Sequence, residues 1–254
     1  MRLLMIDIGN TTVDIRLWDS ETNITSEVFK ALSKSNEYRS SNIIIKKIES
    51  LKLSFDAVIY VSVVPQWNDV VRALAHKKKV KLYNVREEKL VTNETFLVDD
   101  VRRIGADFIA NYFGTLNSYN YKNFIIVSMG TATTLSIIND KKFVGTTISP
   151  GLESGMKGLI QNCALLEKQD YTLSNLNFGK NTFDAISVGT YNGHYLMVKG
   201  LLKELTNFMN IDGVIFTGGY ALTYKKNIET DKFIYDESLI FKGLISIFLS
   251  LNKK

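Results

Sequence analysis

Two stretches that start alike constrain this chain more than anything else in it. IDIGNTTVDI at 6–15 and VSMGTATTLSI at 127–137 superimpose at an offset of 121 residues, setting Gly130 under Gly9, Thr133 under Thr12 and Ser128 under Asp7. Each is an apolar run, a glycine-bearing polar turn and a second strand-forming run, so each predicts a β-hairpin. Residues 25–30 and 143–148 then supply a third strand in both halves. A three-stranded meander that occurs twice in 254 residues points to an internal duplication. Taken alone, either hairpin reads equally as an ordinary polar turn.

The turns carry chemistry as well as shape. Gly9 admits backbone angles that a side chain resists, so a sharp reversal there presents N–H groups beside the hydroxyls of Thr11 and Thr12. Such a turn can cradle phosphate. Asp7, at the strand end, offers a carboxylate to a hydrated Mg²⁺. Near the end of the chain, the apolar run 213–216 enters Thr217-Gly218-Gly219-Tyr220, where paired glycines let the backbone approach a flat or charged ligand. Neither G-x-x-x-x-G-K-[ST] nor G-x-G-x-x-G occurs, so P-loop and Rossmann sites are unsupported.

Between these features strands and helices alternate. A helical face over 43–51, a buried strand over 57–63, a helix from Pro65 to about 75 and a short strand at 80–85 argue for an α/β layer. Residues 86–100 are irregular, and a helix over 101–116 carries Gly105-Ala106-Asp107-Phe108. The polar segment 117–123 is the expected connection between an N-terminal domain, 1–117, and a C-terminal domain, 118–254. A long helix over 181–209 has apolar positions beyond one face, including Tyr191, Tyr195, Leu196 and Val198, and suits burial on two sides.

Composition narrows the function classes. Net charge is +5 with a pI near 9.0, which suits an anionic substrate. The basic cluster Lys77-Lys78-Lys79 with Lys81 has no interleaved aromatics, so it reads as a solvated turn and nucleic acid is disfavoured as a partner. The single cysteine, Cys163, cannot form an intramolecular disulfide or a cysteine-rich zinc site and reads as a buried thiol. His76 and His194 have no metal-ligand spacing. The apolar segment 239–251 is broken by Lys242 and too short to span a bilayer, and Asp7 interrupts the N-terminus too early for a signal peptide. A soluble cytoplasmic protein with no membrane partner is the expectation.

The two hairpins and the Gly-Gly turn, in this order, resemble the nucleotide-binding elements of the acetate kinase/sugar kinase/Hsp70/actin superfamily. Together, IDIGNTT, SVVP at 62–65, GADF at 105–108, GTATT at 130–134, ISPGL at 148–152, GKNTFDAISVG at 179–189 and TGGYA at 217–221 resemble a type III pantothenate kinase. The resemblance implies an α/β fold of two duplicated ribonuclease H-like domains of the actin-like ATPase type, with an ATP cleft between them. It implies ATP-dependent phosphorylation of pantothenate to 4′-phosphopantothenate, the first step of coenzyme A biosynthesis, in a homodimer. By resemblance, Asp7, Gly9, Asn10 and Thr11 hold ATP phosphates and Mg²⁺, Gly130, Thr131 and Thr133 close on the phosphates, and Gly218 and Gly219 lie near the adenosine. Gly105, Ala106 and Asp107 meet pantothenate, with Asp107 the base that accepts the hydroxyl proton, and Thr182 contacts pantothenate as well.

Two positions depart from the family pattern. Ser128 stands where the family has an aspartate that helps bind a monovalent cation, K⁺ or NH₄⁺, and Phe108 stands where it has an arginine. Arg102 and Arg103, on the expected helix with Asp107, are candidates to substitute for that arginine. Both losses lie at the chemistry rather than in the core. The alternative they raise is a nucleotide-binding accessory factor, related to transcription, with impaired catalysis. On either reading Asp7 is expected to be the one hairpin carboxylate left.

Overall fold

The computed structural model describes residues 1–35 and 39–252. Along the first half run β1 (Arg2–Ile8), β2 (Thr12–Asp19), β3 (Ile24–Leu32), α1 (Ser41–Ser50), β4 (Ala57–Ser62), α2 (Pro65–Lys78), β5 (Lys81–Asn84) and α3 (Ala106–Ser118). The second half has β6 (Phe124–Met129), β7 (Ala132–Asn139), β8 (Lys142–Pro150), α4 (Leu152–Asn162), α5 (Thr182–Ile186) and α6 (Gly193–Phe208). It ends with β9 (Gly213–Thr217), α7 (Lys225–Thr230), β10 (Ile234–Tyr235) and α8 (Leu239–Leu251).

Among the described residues the strands form two five-stranded sheets, ordered β3-β2-β1-β4-β5 and β8-β7-β6-β9-β10. In each, an antiparallel meander leads into strands parallel to its first strand, β4 beside β1 and β9 beside β6. The expected duplication is therefore present in topology as well as in wording. Alternate residues of β1 feed two cores: Leu3 and Met5 pack with α3 and α8, while Leu4, Ile6 and Ile8 pack with α1 and α2. Each fully buried aliphatic side chain contributes about 1.5–3 kcal/mol, which is why this period-two pattern fixes the register.

The chain divides into two compact units, one of Met1–Asn120 with Ser238–Lys254 and one of Tyr121–Glu237. This corrects the division expected at 118–254, because α8 returns to the first unit. Its Phe241, Leu244, Ile247 and Phe248 join the core under α3. The two helices meet through glycine: a Cβ on Gly243 would lie 1.8 Å from the Ala110 carbonyl oxygen, and one on Gly114 would lie 2.3 Å from that of Leu239. A helix whose partner lies more than a hundred positions away leaves no local signature of where it docks.

Three local expectations also change. The helix expected over 101–116 is broken into a 3₁₀ turn, Val101–Arg103, and α3, with extended Gly105 as the N-cap between them. The long helix expected over 181–209 is α5 and α6 joined through a π-helical turn, Ser187–Asn192. Cys163 is the extended residue after α4 and is half-buried rather than buried. The lysine cluster closes α2, where Lys77 donates to Ser41 and Asn42, and Lys78 pairs with Glu49.

Candidate active site

In the first unit the turn after β1 is drawn tight by backbone and serine hydrogen bonds. The Gly9 N–H donates to the Thr12 carbonyl at 2.9 Å. Ser33 then takes two carbonyls of the turn, its Oγ donating to Asn10 at 2.7 Å and its N–H to Thr11 at 2.9 Å. The buried Trp67 indole donates to the Ser33 carbonyl, which locks the anchor to α2. Gly9 is not in the left-handed region, contrary to the expectation, and a Cβ there would sit 3.5 Å from its nearest neighbour. The fold does not require glycine at 9; what the glycine provides is open room in front of the turn.

Asp7 ends β1 on the face that meets α3 and α8. Burial, then the charges of Asp107 and Asp14, push its carboxyl up from 3.8 to about 7, against Arg16 and Lys30, which pull it down. Asp14 is the register partner of Asp7 and is itself buried. Arg16 grips Asp14 with contacts of 3.3 and 2.9 Å, Lys30 lies 3.8 Å away, and the Arg16 guanidinium stacks 4.2 Å over the Phe241 ring of α8. Asp7 is therefore not the one carboxylate of its hairpin. The surplus negative charge fits a divalent cation, so Asp7 and the open turn suit a metal–phosphate group.

Asp107 lies in the first turn of α3 because Gly105 ends the preceding extended segment. A Cβ on Gly105 would fall 2.3 Å from the Asp107 Oδ1, so the glycine is what allows the carboxylate to fold back over the helix start. Burial pushes its carboxyl up from the usual range, while the N–H groups of Phe108 and Asp107 and the Arg86 guanidinium pull it down. Arg102 does not substitute for the missing arginine, since it is turned onto Asp100 with contacts of 2.9 and 3.1 Å. Arg86, which the sequence reading passed over, holds the carbonyls of Arg102 and Ile104 just before α3. One turn beyond Asp107, Asn111 is buried and its Oδ1 has no hydrogen-bond partner among the described residues.

In the second unit the hairpin is one residue shorter. Strand pairing matches Ile8 with Val13 in the first unit but Met129 with Thr133 in the second. The gapless offset is therefore off by one beyond the turn: Thr133 corresponds to the inward-facing Val13 and not to Thr12. Its side chain is fully buried, with Oγ1 2.9 Å from the His194 Nε2 of α6. Thr131, by contrast, is exposed at the tip, and its carbonyl is drawn back by Ser154 and Gly151.

Ser128 has Thr134 beside it on β7 and Thr217 on β9, a row of hydroxyl residues without a carboxylate. Gly218 follows β9 with φ of +92°, and a Cβ there would lie 2.5 Å from the Met129 carbonyl oxygen. This is the glycine whose conformation the fold demands. Gly219 has open space around it and begins a 3₁₀ turn that runs to Tyr224. Thr182 opens α5, capped by Asn181, and lines a surface cavity of about 670 Å³ together with Lys180, Leu159 and Ile186.

The family model described as type III pantothenate kinase matches residues 3–204. A type III pantothenate kinase from Dictyoglomus turgidum is 29% identical over 259 residues, covering 97% of this chain and 98% of its own. Among solved structures, a Baf-family protein from Campylobacter jejuni superimposes with a TM-score of 0.56 at 22% identity, covering 98% of this chain and all of its own. A ROK family glucokinase from Streptomyces griseus, in complex with glucose and AMPPNP, gives a TM-score of 0.50 at 13% identity over 97% of each chain. These structures share the fold, two sheets of the actin-like ATPase and sugar kinase type. Among the described residues no helix is long and apolar enough to cross a membrane.

Proposed function

Because this chain belongs to the type III pantothenate kinase family, we propose that it transfers the γ-phosphoryl group of ATP to the 4′-hydroxyl of pantothenate, the first step of coenzyme A biosynthesis. Kinases of this superfamily use ATP with a divalent metal. The observation that supports the residue assignment is the setting of Asp107, a carboxylate folded over a helix start and raised in pKa by burial. Phosphoryl transfer asks for an aligned hydroxyl and for charge neutralised on the phosphates, more than for covalent chemistry by the protein. A carboxylate whose pKa is raised toward working pH is the better acceptor for the hydroxyl proton as the oxygen attacks.

In this reading Asp107 orients the pantothenate hydroxyl and takes its proton. Gly105 leaves the Asp107 carboxylate its place beside the substrate, Ala106 is packed into the core beneath it, and the unpartnered Asn111 Oδ1 offers an acceptor. Asp7, Gly9, Asn10 and Thr11 hold phosphates, as do Gly130 and Thr131, and Gly218 and Gly219 approach the adenosine. When bound, Mg²⁺ would supply charge neutralisation beside Asp7, whose pKa is raised by burial and then by the charges of Asp107 and Asp14. Arg86 takes over the positioning that an arginine at 108 gives elsewhere, through the carbonyls leading into α3. At Ser128 neutral hydroxyls replace a carboxylate, so K⁺ or NH₄⁺ is held weakly if required at all.

Thr182 and Lys180 of the α5 cavity contact pantothenate, Lys180 meeting its carboxylate, in a homodimer that covers exposed apolar residues. Leu196 is 63% exposed and Phe178 69%. The test is phosphopantothenate formation from ATP, Mg²⁺ and pantothenate, with and without K⁺ or NH₄⁺, for the parent and Asp107→Asn. Turnover that Asp107→Asn abolishes while ATP binding survives is the expected result. ATP binding without product under every cation condition would instead mark a non-catalytic accessory factor.

A further inference from the structure

The contact between Thr133 and His194 has no place in the reaction as described above, yet it joins two pieces of the proposed nucleotide site. Thr133 follows the 130–132 tip directly and is fully buried, so its hydroxyl needs a partner inside the fold. That partner is His194, at 2.9 Å. The other side of the imidazole faces the segment entered through Gly218-Gly219: its ring stacks on Tyr224 with centroids 6.3 Å apart. Tyr224 is in turn held by Tyr195, stacked at 5.3 Å, and by its own hydroxyl, which donates to the Tyr191 carbonyl at 2.9 Å.

Helix geometry explains how His194 comes to face both. It stands two residues past the π turn Ser187–Asn192. A π turn inserts one residue into the helix, which rotates every later side chain by about 100°. The Tyr191 carbonyl, which accepts from the Tyr224 hydroxyl, belongs to the same π turn. In the first unit the position matching Thr133 is Val13, an ordinary core residue. The polar pair belongs to the second unit alone. Burial pushes the His194 imidazole down, so it is neutral near pH 7 and able to accept the Thr133 proton.

We propose that His194 is a positioning residue for nucleotide: its hydrogen bond to Thr133 and its stacking on Tyr224 fix the 130–133 tip to the Gly218–Tyr224 segment, so that both hold ATP as one rigid piece. This rests on the reading that both segments contact ATP, and it deepens that reading by naming what sets their separation. The residue acts through Thr133 and touches no substrate.

The experiment measures ATP affinity by titration calorimetry, the KM for ATP and for pantothenate, and Tm, for Thr133→Val, Thr133→Ser, His194→Phe, His194→Gln and the double variant Thr133→Val/His194→Phe. Thr133→Val removes the hydroxyl at constant shape, and His194→Phe keeps the stacking surface. Each should weaken ATP binding and raise its KM by about tenfold, the size of one lost hydrogen bond, with the pantothenate KM unmoved. The double variant should be no worse than either single change, because all three break one bond. Thr133→Ser should return to within about twofold of the parent, while His194→Gln, which keeps a hydrogen-bonding group but loses the ring on Tyr224, should recover only part of the loss.

Unchanged ATP affinity in Thr133→Val, or losses that multiply in the double variant, would overturn the proposal. So would a fall in Tm with no change in ATP affinity. If His194→Phe does not fold, Thr133→Val against Thr133→Ser decides alone. If the parent makes no phosphopantothenate, the kinase reading fails while ATP titration still judges this one; a parent that binds no ATP ends both.

Discussion

Asp7 and Asp14 stand directly opposite one another as register partners of β1 and β2. Like charges opposed across a strand pair repel at about 5 Å between Cβ atoms. The chain resolves the conflict unequally. Arg16 and Lys30 are spent on Asp14, and Asp7 keeps its proton up to about pH 7. This gives the hairpin a titrating group at the place where cation and phosphate are proposed to bind.

Stability should record it. The folded chain holds the Asp7 proton to about 7, while the unfolded chain releases it near 3.8. Between those values the folded state binds more protons, so this group's contribution is full below the lower value and is lost as pH rises through the upper one. Asp7→Asn should thus be more stable than the parent at pH 8, by up to about 4 kcal/mol at about 1.4 kcal/mol per pKa unit, and similar to it at pH 4. Urea unfolding at the two pH values measures this. A difference that does not vary with pH would refute it.

Ligand binding should release the same proton. Mg²⁺–ATP meets a protonated Asp7 below pH 7, and metal binding must displace that proton. Calorimetric titrations at pH 6 in two buffers of different ionisation enthalpy should show close to one proton released per ATP, and none in Asp7→Asn.

Two glycine substitutions should separate shape from function. At Gly9 a Cβ would meet nothing closer than 3.5 Å, so Gly9→Ala should leave Tm unchanged and any rise in the ATP KM reports a ligand packed against the turn. At Gly105 the Cβ would fall 2.3 Å from the Asp107 Oδ1 and push the carboxylate aside. Gly105→Ala should lower kcat by about 100-fold, the cost of roughly 1 Å of misplacement, with ATP affinity retained.

The α3–α8 contact has no slack. Gly243→Ala places a Cβ 1.8 Å from the Ala110 carbonyl, on the helix that carries Asp107. The helices must separate, at a cost of about 1–3 kcal/mol in urea unfolding, and kcat should fall with them.

Asn111→Leu should trade function for stability. Removing a buried, unpartnered carboxamide oxygen should stabilise the ligand-free protein by about 1 kcal/mol. If that oxygen is kept for substrate, the pantothenate KM rises in the same variant. An unchanged KM would remove Asn111 from the site.

Much of this molecule was legible from its residues. The doubled hairpin, the third strand in each half and the Gly-Gly turn after β9 follow from strand periodicity and glycine placement, which are local properties. The hairpin tips, where nucleotide is proposed to bind, were legible for the same reason. Asp14, by contrast, was seven residues from Asp7 and in plain view, but only strand register shows that the two are opposed. His194 was set aside for want of metal spacing, since nothing in its neighbourhood names Thr133. A gapless superposition sets Thr133 under Thr12, one missing turn residue shifts the match to Val13, and a shift of one position moves a strand residue to the other face.

The sequence by itself determined the elements and their repetition, because hydrophobic period and turn chemistry act over a few residues. Tertiary structure decided where α8 docks, which carboxylate keeps its proton, which arginine holds the carbonyls leading into α3, and which threonine faces inward. Each of those depends on groups that only the folded chain brings together, where burial and charge at a few ångströms set the outcome. Even where a short window holds both partners, as with Asp7 and Asp14, only strand register sets them face to face.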